Sequence, residues 1–259
     1  MNEIVSTATA FLRRWDCGVN FKLAGECVPF AFDFPDLDRI VDSLLAEDKT
    51  IAITGTVADH LEVDNVVDDM RGQSLEQLLQ TSFQLTHFDL QRFDRPGSIL
   101  HGFGTQVMDP WRAFLHDHGF SWDRCYAVMR VSGPGTVTGY HVDVSNVLFW
   151  NVSGHKHFHG LHDPNDKAPL EQVMQPDHNR LGRPDHVTAD DVCTLDVGDE
   201  EFIWNHLLTP HWVDAPALSF GINLSHGGLR HRGRLGPREQ AFYEFKEYDK
   251  HPERIWRKP

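Results

Sequence analysis

Cysteine is scarce in this chain, and its four copies lie far apart. Cys17, Cys27, Cys125 and Cys193 form no Cys-x-x-Cys pair among the 259 residues. A small secreted domain that depends on disulfides carries a much denser cysteine framework. The scarcity therefore favours reduced thiols and predicts a cytoplasmic protein.

Long apolar runs and an excess of positive charge are missing as well. No segment approaches the roughly 18 apolar residues of a membrane-spanning helix, and residues 1–18 contain no apolar signal-peptide core. The chain has 24 Lys and Arg against 38 Asp and Glu, a net charge of −14. This acidic charge is spread along the chain, and no basic stripe is visible. These absences predict that neither a membrane nor nucleic acid is a partner.

Short apolar and aromatic runs are abundant, and they change character after Gly119. With 40% hydrophobic and 11% aromatic residues, the chain can bury a full core. Beyond Gly119 the runs are CYAVMRV, TVTGYHV, NVLFWNV, HKHFHGL, DVCTLDV, EFIWNHL and ALSFGINLS, broken by Gly, Pro, Asn and Asp. Such spacing is typical of an antiparallel β-sandwich or barrel. We therefore predict a mainly β fold for this part.

Helical patterns are concentrated before residue 120. Residues 34–49 carry an apolar stripe with Pro35 in the first turn, and a helix capped by Ser74 follows. A further helix is predicted over residues 109–119, and a strand over residues 50–55.

The chain is expected to form one domain, residues 1–259. In this division residues 1–120 form a buttress of helices and strands, and residues 121–230 form the barrel core. Residues 231–259 form a polar C-terminal tail with a few aromatic residues. We predict that the tail packs on the barrel or forms a homodimer contact.

Two histidines and an aspartate have the order of a metal site. His141 and Asp143 form a His-x-Asp pair, and His211 follows several predicted strands later, just before an apolar run. Two imidazoles and one carboxylate on one face of Fe(II) leave three positions open for other ligands. Alone, the His-x-Asp pair is more often a surface ion pair at a strand end than a metal site. His206 competes for the third position, but a loop-like Leu-Leu-Thr-Pro follows it, so we favour His211.

Lys156 stands among three histidines after a predicted hairpin turn at Ser153 and Gly154. Strand alternation puts Lys156 and Phe158 on one face, and His155, His157 and His159 on the other. Such a lysine is commonly solvated, with its stem on the sheet. If its face points into a barrel, however, the cation needs an anion to meet it. A dicarboxylate bound to the metal would supply that anion.

This set of motifs resembles the Fe(II)- and 2-oxoglutarate-dependent oxygenases of the JmjC-like cupin group. Within that group it is similar to the asparaginyl hydroxylase that inhibits hypoxia-inducible factor. The segment TGYHVD places Thr138 before the first histidine, and GHK places Lys156 at the spacing of that family's lysine. The resemblance covers roughly residues 125–226, and the three motifs in order and spacing make it fairly specific.

The resemblance implies a fold and a set of ligands. The fold would be a double-stranded β-helix, a jelly-roll or cupin-like barrel, with flanking N-terminal helices. The ligands would be Fe(II), 2-oxoglutarate as cosubstrate, and O₂. Thr138 and Lys156 would bind the far carboxylate of 2-oxoglutarate, and Phe149 and Asn223 would line its pocket. Val147 departs from the pattern, because a polar residue stands there in the family.

Arg130 and the remaining histidines leave alternatives open. If Arg130 faces the interior it could clamp a substrate carboxylate, but an outward, solvated Arg130 is an equally good interpretation. His155, His157, His159 and His162 could form a second metal site by alternation, although a solvated outer face is the commoner home for such residues. We keep both alternatives for Arg130, and for the histidines we favour the solvated outer face.

The function predicted from these features is hydroxylation of a small molecule, such as an amino acid or its derivative, or of a peptide. Protein side-chain hydroxylation or N-demethylation is the first alternative, because both use the same ligands. A metal cupin that isomerises or binds a small molecule without 2-oxoglutarate is the second, and it would not need Lys156 or Thr138.

Overall fold

The structure of the protein, a computed structural model, describes residues 4–54, 65–174 and 183–246. Its helices and strands follow in this order along the chain: β1 (Ile4–Val5), α1 (Ala8–Arg14), β2 (Phe21–Leu23), α2 (Leu37–Leu45), β3 (Ile51–Thr54), α3 (Val67–Met70), α4 (Leu75–Leu78), β4 (Phe83–His87), α5 (Asp109–Asp117), β5 (Phe120–Ser121), β6 (Arg124–Ser132), β7 (Thr136–His141), β8 (Asn146–Ser153), β9 (Lys156–Leu161), α6 (Pro164–Lys167), α7 (Leu170–Val173), β10 (Val192–Val197), β11 (Glu201–Asn205), β12 (His211–Ala215), β13 (Ser219–Gly227), β14 (Arg230–His231), β15 (Arg234–Leu235) and α8 (Pro237–Lys246). Short 3₁₀ turns lie at Gly25–Cys27, Leu90–Arg92 and Ala189–Asp191, and a π-helical turn at Gly104–Met108 runs into α5.

The strands form three sheets. The large sheet has the order β1-β2-β11-β8-β13-β6-β4-β3, the small sheet β10-β9-β12-β7, and the third, minor sheet β15-β14-β5. Neighbouring strands are antiparallel except for the β1–β2 pair. The predicted mainly β fold is confirmed. Within the described ranges no sheet closes on itself, so the jelly-roll barrel stays a prediction.

The predicted helices before residue 120 form close to their expected positions. α2 begins after Asp36 rather than at Pro35, and its stripe of Ile40, Val41, Leu44 and Leu45 is buried. At α4, Ser74 and Gln77 form the two reciprocal bonds of a capping box. Residues before 120 also supply four strands to the large sheet, which makes the buttress continuous with the sheet that it supports.

The large and small sheets face each other across an apolar layer. Along β8, Leu148 and Trp150 belong to the main core together with the N-terminal helices. Val147 and Phe149 point the other way and pack with residues of the small sheet. This second layer consists of Val147, Phe149, Phe158, Leu195, Val197 and Ile203. The space between the two sheets therefore lies beside the strand that carries Lys156.

The turn at Ser153 and Gly154 joins the two sheets and does not close a hairpin. β8 pairs with β11 and β13, whereas β9 pairs with β10 and β12. Gly154 has a φ of 85°, and a Cβ there would lie 2.1 Å from the carbonyl oxygen of Leu218. The predicted hairpin is therefore wrong, although the predicted turn is present. Local sequence marks a turn, but it does not determine which partners the two strands take.

The C-terminal tail forms α8, and this helix packs on the chain itself. Phe242 is buried in an apolar cluster with Leu161, Leu207 and Leu208. Residues 247–259 lie outside the described ranges, so the homodimer contact stays a prediction. None of the described helices is long and apolar enough to cross a membrane. The four cysteines are free.

Glu239 anchors α8 to the rest of the fold. Its carboxylate accepts hydrogen bonds from Asn146 Nδ2 at 3.1 Å and from the backbone N–H of Gly228 at 2.8 Å. Burial of this side chain raises the pKa of Glu239 to about 7. The folded protein therefore holds a proton on Glu239 over a pH range in which the unfolded chain releases it.

We expect Glu239→Gln to flatten the pH dependence of stability between about pH 4.5 and 7. The raised pKa stabilises the wild-type protein fully below the unfolded pKa, and this contribution disappears as the pH rises through about 7. Across this pH range the raised pKa of Glu239 should change the free energy of unfolding of the wild-type protein by about 3 kcal/mol. Urea unfolding at pH 5 and pH 7.5 measures it as the difference between wild type and variant. Glu244→Gln, an exposed change on the same helix, is the control, and an equal effect in both variants would contradict the assignment.

Candidate metal centre

His141, Asp143 and His211 converge where β7 ends and β12 begins. His141 is the last residue of β7 and pairs directly with His211, the first residue of β12, and a register shift follows between His211 and Val213. Nε2 of His141 lies 3.9 Å from Asp143 Oδ1, and Nε2 of His211 lies 3.6 Å from Asp143 Oδ2. The two imidazole ring centroids are 4.1 Å apart.

Backbone hydrogen bonds orient both imidazoles. Nδ1 of His141 lies 2.7 Å from the carbonyl oxygen of Gly139, and Nδ1 of His211 lies 3.0 Å from that of Thr209. Because a carbonyl only accepts, each Nδ1 must donate, and the lone pair is on Nε2. Burial also lowers the pKa of His211, although Asp143 opposes this shift. The hydrogen bonds select the tautomer that leaves Nε2 available to a metal, and burial favours the neutral form of His211.

The residues present fit a divalent iron ion. The three ligand atoms all lie within 4.8 Å of one another. Imidazole nitrogen and carboxylate oxygen are the donor types of a facial triad. Asn205 Nδ2 donates to Asp143 Oδ2 at 2.8 Å, and the ring of Phe158 stacks on His211 at 5.0 Å with a 6° interplanar angle. Such contacts fix the orientation of the ligands, which is the usual role of residues around a metal site.

His206 lies elsewhere, in the apolar core. Its backbone N–H donates to Asn20 Oδ1, and its ring packs near Phe21 and Trp204. Burial lowers the pKa of His206 to about 3. The structure therefore brings His211, and not His206, to the two other predicted ligands.

A cleft of about 480 Å³, partly open to solvent, adjoins the triad. Every site residue predicted from the sequence lines it. The cleft residues are Gln84, Arg130, Thr138, His141, Asp143, Val147, Phe149, Lys156, Phe158, Asn205, His211, Val213 and Asn223. Gln84 and Asn205 were missed by the sequence analysis, because neither belongs to a recognisable motif.

Lys156 is buried in this cleft, with only 4% of its surface exposed. Its Nζ donates to Ser132 Oγ at 3.1 Å and lies 5.4 Å from the ring centroid of Phe149. In the described parts of the chain, no carboxylate forms an ion pair with it. Burial, and then the charge of Arg130, lowers the pKa of Lys156 to about 7. The solvated alternative for Lys156 is therefore wrong.

Arg130 also points into the cleft, as the inward alternative requires. It belongs to β6, where the neighbouring Met129 and Val131 face the main core. Its Nε is buried and has no hydrogen-bond partner. Burial lowers the pKa of Arg130, and Asp143 opposes this shift. A buried and a partly buried cation thus share one cleft, which is an arrangement that favours an anionic ligand.

Thr138 and Phe149 also line the cleft. Thr138 Oγ1 accepts a hydrogen bond from Gln84 Nε2 at 3.0 Å, so this hydroxyl can still donate its own proton to a ligand. Phe149 lies against the backbone of Gly221, where a Cβ would come within 2.7 Å of the ring. Val147 contributes an apolar surface at the position where the sequence departs from the resembled family.

The outer histidines of β9 lie on the opposite face of the small sheet. His159 is fixed by Asp214 at 2.8 Å and Thr194 at 2.9 Å, and it stacks on Trp212 at 5.2 Å. His159 is thus held by neighbouring side chains of its own sheet. His162 is exposed beyond the end of β9.

Known proteins resemble this chain in fold but not in sequence. No family model matches the sequence, and no curated protein matches it either. Three solved structures of YcfD, a ribosomal oxygenase from Escherichia coli, match the fold with a TM-score of 0.54 and 15% or 16% identity. They cover 97% or 98% of this chain, which spans only 58% or 59% of the YcfD chains. The closer likeness to the asparaginyl hydroxylase stays a prediction. The fold of this chain is therefore similar to that of part of YcfD.

Proposed function

We propose that this protein is an Fe(II)- and 2-oxoglutarate-dependent oxygenase that hydroxylates a small molecule or a peptide with O₂. One observation carries the proposal: the buried ammonium group of Lys156 lines the same cleft as His141, Asp143 and His211. A metal alone would account for the triad but would leave a buried cation without a counter-charge. A dicarboxylate that reaches from the metal to Lys156 accounts for both features.

Each cleft residue has a defined task in this proposal. Bound iron and 2-oxoglutarate would supply the oxidation, in which 2-oxoglutarate is converted to succinate and CO₂ while O₂ is activated for C–H hydroxylation. His141, Asp143 and His211 would hold the iron. Lys156 and Thr138 would bind the far carboxylate of 2-oxoglutarate. The apolar side chains of Phe149, Val147 and Phe158, with the amide of Asn223, would border the cosubstrate and limit the access of water.

The proposal extends to the architecture. We propose that the large and small sheets are the two halves of a double-stranded β-helix, the jelly-roll barrel of the cupin group, within a single domain of 259 residues. The apolar layer between the sheets supports this, because its side chains come from both. The likeness to YcfD supports it as well.

The charges of the cleft favour a substrate that carries a carboxylate. Arg130 faces the cleft with a buried Nε that has no hydrogen-bond partner, while the chain as a whole carries a net charge of −14. A small zwitterion, such as an amino acid or its derivative, or a short peptide meets the local cation without strong repulsion from the whole protein.

Hydroxylation of a protein side chain is a second candidate. The observation that favours it is the fold of YcfD, because that protein is a ribosomal oxygenase. The same triad and cleft would serve this reaction, and they would also serve oxidative N-demethylation. A gain of about 16 Da in the product distinguishes hydroxylation from the loss of a methyl group.

Succinate formation tests the proposed chemistry. The purified protein should release succinate from 2-oxoglutarate when Fe(II) and O₂ are present, faster with a true substrate than without one. A metal cupin that acts without 2-oxoglutarate would bind the metal but form no succinate. Absence of both 2-oxoglutarate binding and succinate release in iron-loaded protein would refute the proposal.

We expect Arg130→Leu to raise the KM for substrate by about 10- to 100-fold, the worth of a hydrogen bond to a charged group. Uncoupled turnover of 2-oxoglutarate should persist, because Lys156 and the triad remain. Arg130→Lys, which keeps the charge but not the planar fork, should recover part of the affinity. Steady-state kinetics with varied substrate measure the change. Normal substrate kinetics in Arg130→Leu would show that Arg130 does not contact the substrate.

A further inference from the structure

We propose that His155, His157 and Asp196 form a second metal site, on the outer face of the small sheet, that takes a divalent transition-metal ion such as Zn²⁺. This proposal is independent of the function proposed for the cleft. Both imidazoles approach the same carboxylate oxygen: Nε2 of His155 lies 3.8 Å from Asp196 Oδ1, and Nε2 of His157 lies 3.5 Å from it. The three ligand atoms lie within 4.8 Å of one another, as in the inner triad.

The backbone brings these three side chains together. In the β9–β10 ladder Asp196 is the direct partner of His157, so the two side chains lie side by side on one face. His155 is two residues before His157 and therefore shares that face. Their ring centroids are 5.1 Å apart. The site thus depends on strand register, and a chance encounter of three mobile side chains does not explain it.

The donor set selects the class of metal. Two imidazole nitrogens and one carboxylate oxygen suit Zn²⁺, which is commonly four-coordinate with a water as the last ligand. Ca²⁺ and Mg²⁺ prefer sites built from oxygen ligands alone. The two imidazoles are partly exposed and Asp196 is exposed, so an ion can reach them from solvent and the side chains can close the small remaining distances.

The outer site is separate from the inner one, although both use β9. Lys156 lies between His155 and His157 in sequence but points to the opposite face, into the cleft. His159 is excluded from the outer site, because its Nε2 lies 2.8 Å from Asp214 and its ring stacks on Trp212. An ion at the outer site would therefore not contact the cosubstrate.

Zinc stoichiometry tests the proposal. Protein prepared without a metal-affinity tag is titrated with Zn²⁺ against a chromophoric zinc indicator. Wild-type protein should bind two ions, because zinc also suits the inner triad. The double variant His155→Ala with His157→Ala should bind one, and so should Asp143→Ala with His211→Ala. Combining all four changes should abolish binding.

A second variant and a control sharpen the result. In the variant that lacks the inner site, Asp196→Asn should weaken the remaining zinc affinity by at least roughly 10-fold. Loss of a residue that only orients a metal ligand already has an effect of this size. His116→Ala is the control, because His116 is also exposed and lies 3.6 Å from a carboxylate, that of Asp117. If His155→Ala with His157→Ala binds as many ions as wild-type protein, or if His116→Ala weakens zinc binding as much as that double variant, the outer site does not exist. Circular dichroism checks that each variant is folded. If the variant that lacks the inner site is unfolded, the comparison of His155→Ala with His157→Ala against wild-type protein tests the outer site, because the double variant should bind one ion fewer.

Discussion

His211→Ala should abolish Fe(II) binding and succinate formation, whereas His206→Gln should preserve both. His211 offers its Nε2 to the same site as His141 and Asp143, and a facial triad cannot hold iron well with two ligands. Asp143→Ala and His141→Ala should have the same effect as His211→Ala. Anaerobic titration with Fe(II), followed by the succinate assay, measures both properties.

His206→Gln is a suitable control because it changes the competing histidine with little loss of side-chain volume. His206 is buried beside Phe21 and Trp204, so a small side chain there would leave a cavity and lower stability. Glutamine retains volume and polar atoms, and its effect on thermal unfolding can be measured separately from iron binding. Loss of iron in His206→Gln together with retention in His211→Ala would reverse the assignment of the third ligand.

Lys156→Met should weaken the binding of 2-oxoglutarate by roughly two to four factors of ten while iron binding remains. Removing one partner of a desolvated charge pair costs about 3 to 5 kcal/mol, and each factor of ten corresponds to about 1.4 kcal/mol. The ligand-free variant should unfold at the same temperature as wild type or higher, because an unpaired buried cation has been replaced by an apolar chain of similar length. Anaerobic calorimetry of 2-oxoglutarate binding and thermal unfolding measure the two effects.

Lys167→Met serves as the control for Lys156. Lys167 lies on the surface and pairs with Asp191 at 3.2 Å, so it should contribute nothing to cosubstrate binding. A variant that loses 2-oxoglutarate affinity together with iron would indicate general damage to the cleft. Unchanged affinity in Lys156→Met would mean that the far carboxylate binds elsewhere in the cleft, for which Arg130 is the remaining cation of the lining.

The sequence was most informative where chemistry depends on local spacing. The His-x-Asp spacing is visible directly in the sequence, and alternation along one strand puts Lys156 on the face opposite His157. Which of the two faces points into the cleft is shown only by the folded chain. Gln84 and Asn205 could not be found in this way. Their roles arise from strands β4 and β11, which meet β7 and the Asp143 loop only in the folded chain.

Strand partners were the main feature that the sequence did not reveal. The turn at Gly154 was visible, but the crossing from the large sheet to the small sheet depends on long-range pairing of β9 with β10 and β12. The same pairing brings Asp196 beside His157. The sequence around these histidines indicates only a solvated face. In the folded chain the carboxylate of Asp196, which is distant in sequence, lies close to His157.

Gly221 leaves room for the ring of Phe149, which lines the cleft. The ring of Phe149 occupies the space that a side chain at position 221 would need. A methyl group added there would lie 2.7 Å from the ring and 2.9 Å from the carbonyl oxygen of Trp150, so the ring would have to shift within the cleft that it lines. Position 221 is therefore a site where one mutation could change the shape of the cleft and leave His141, Asp143 and His211 intact.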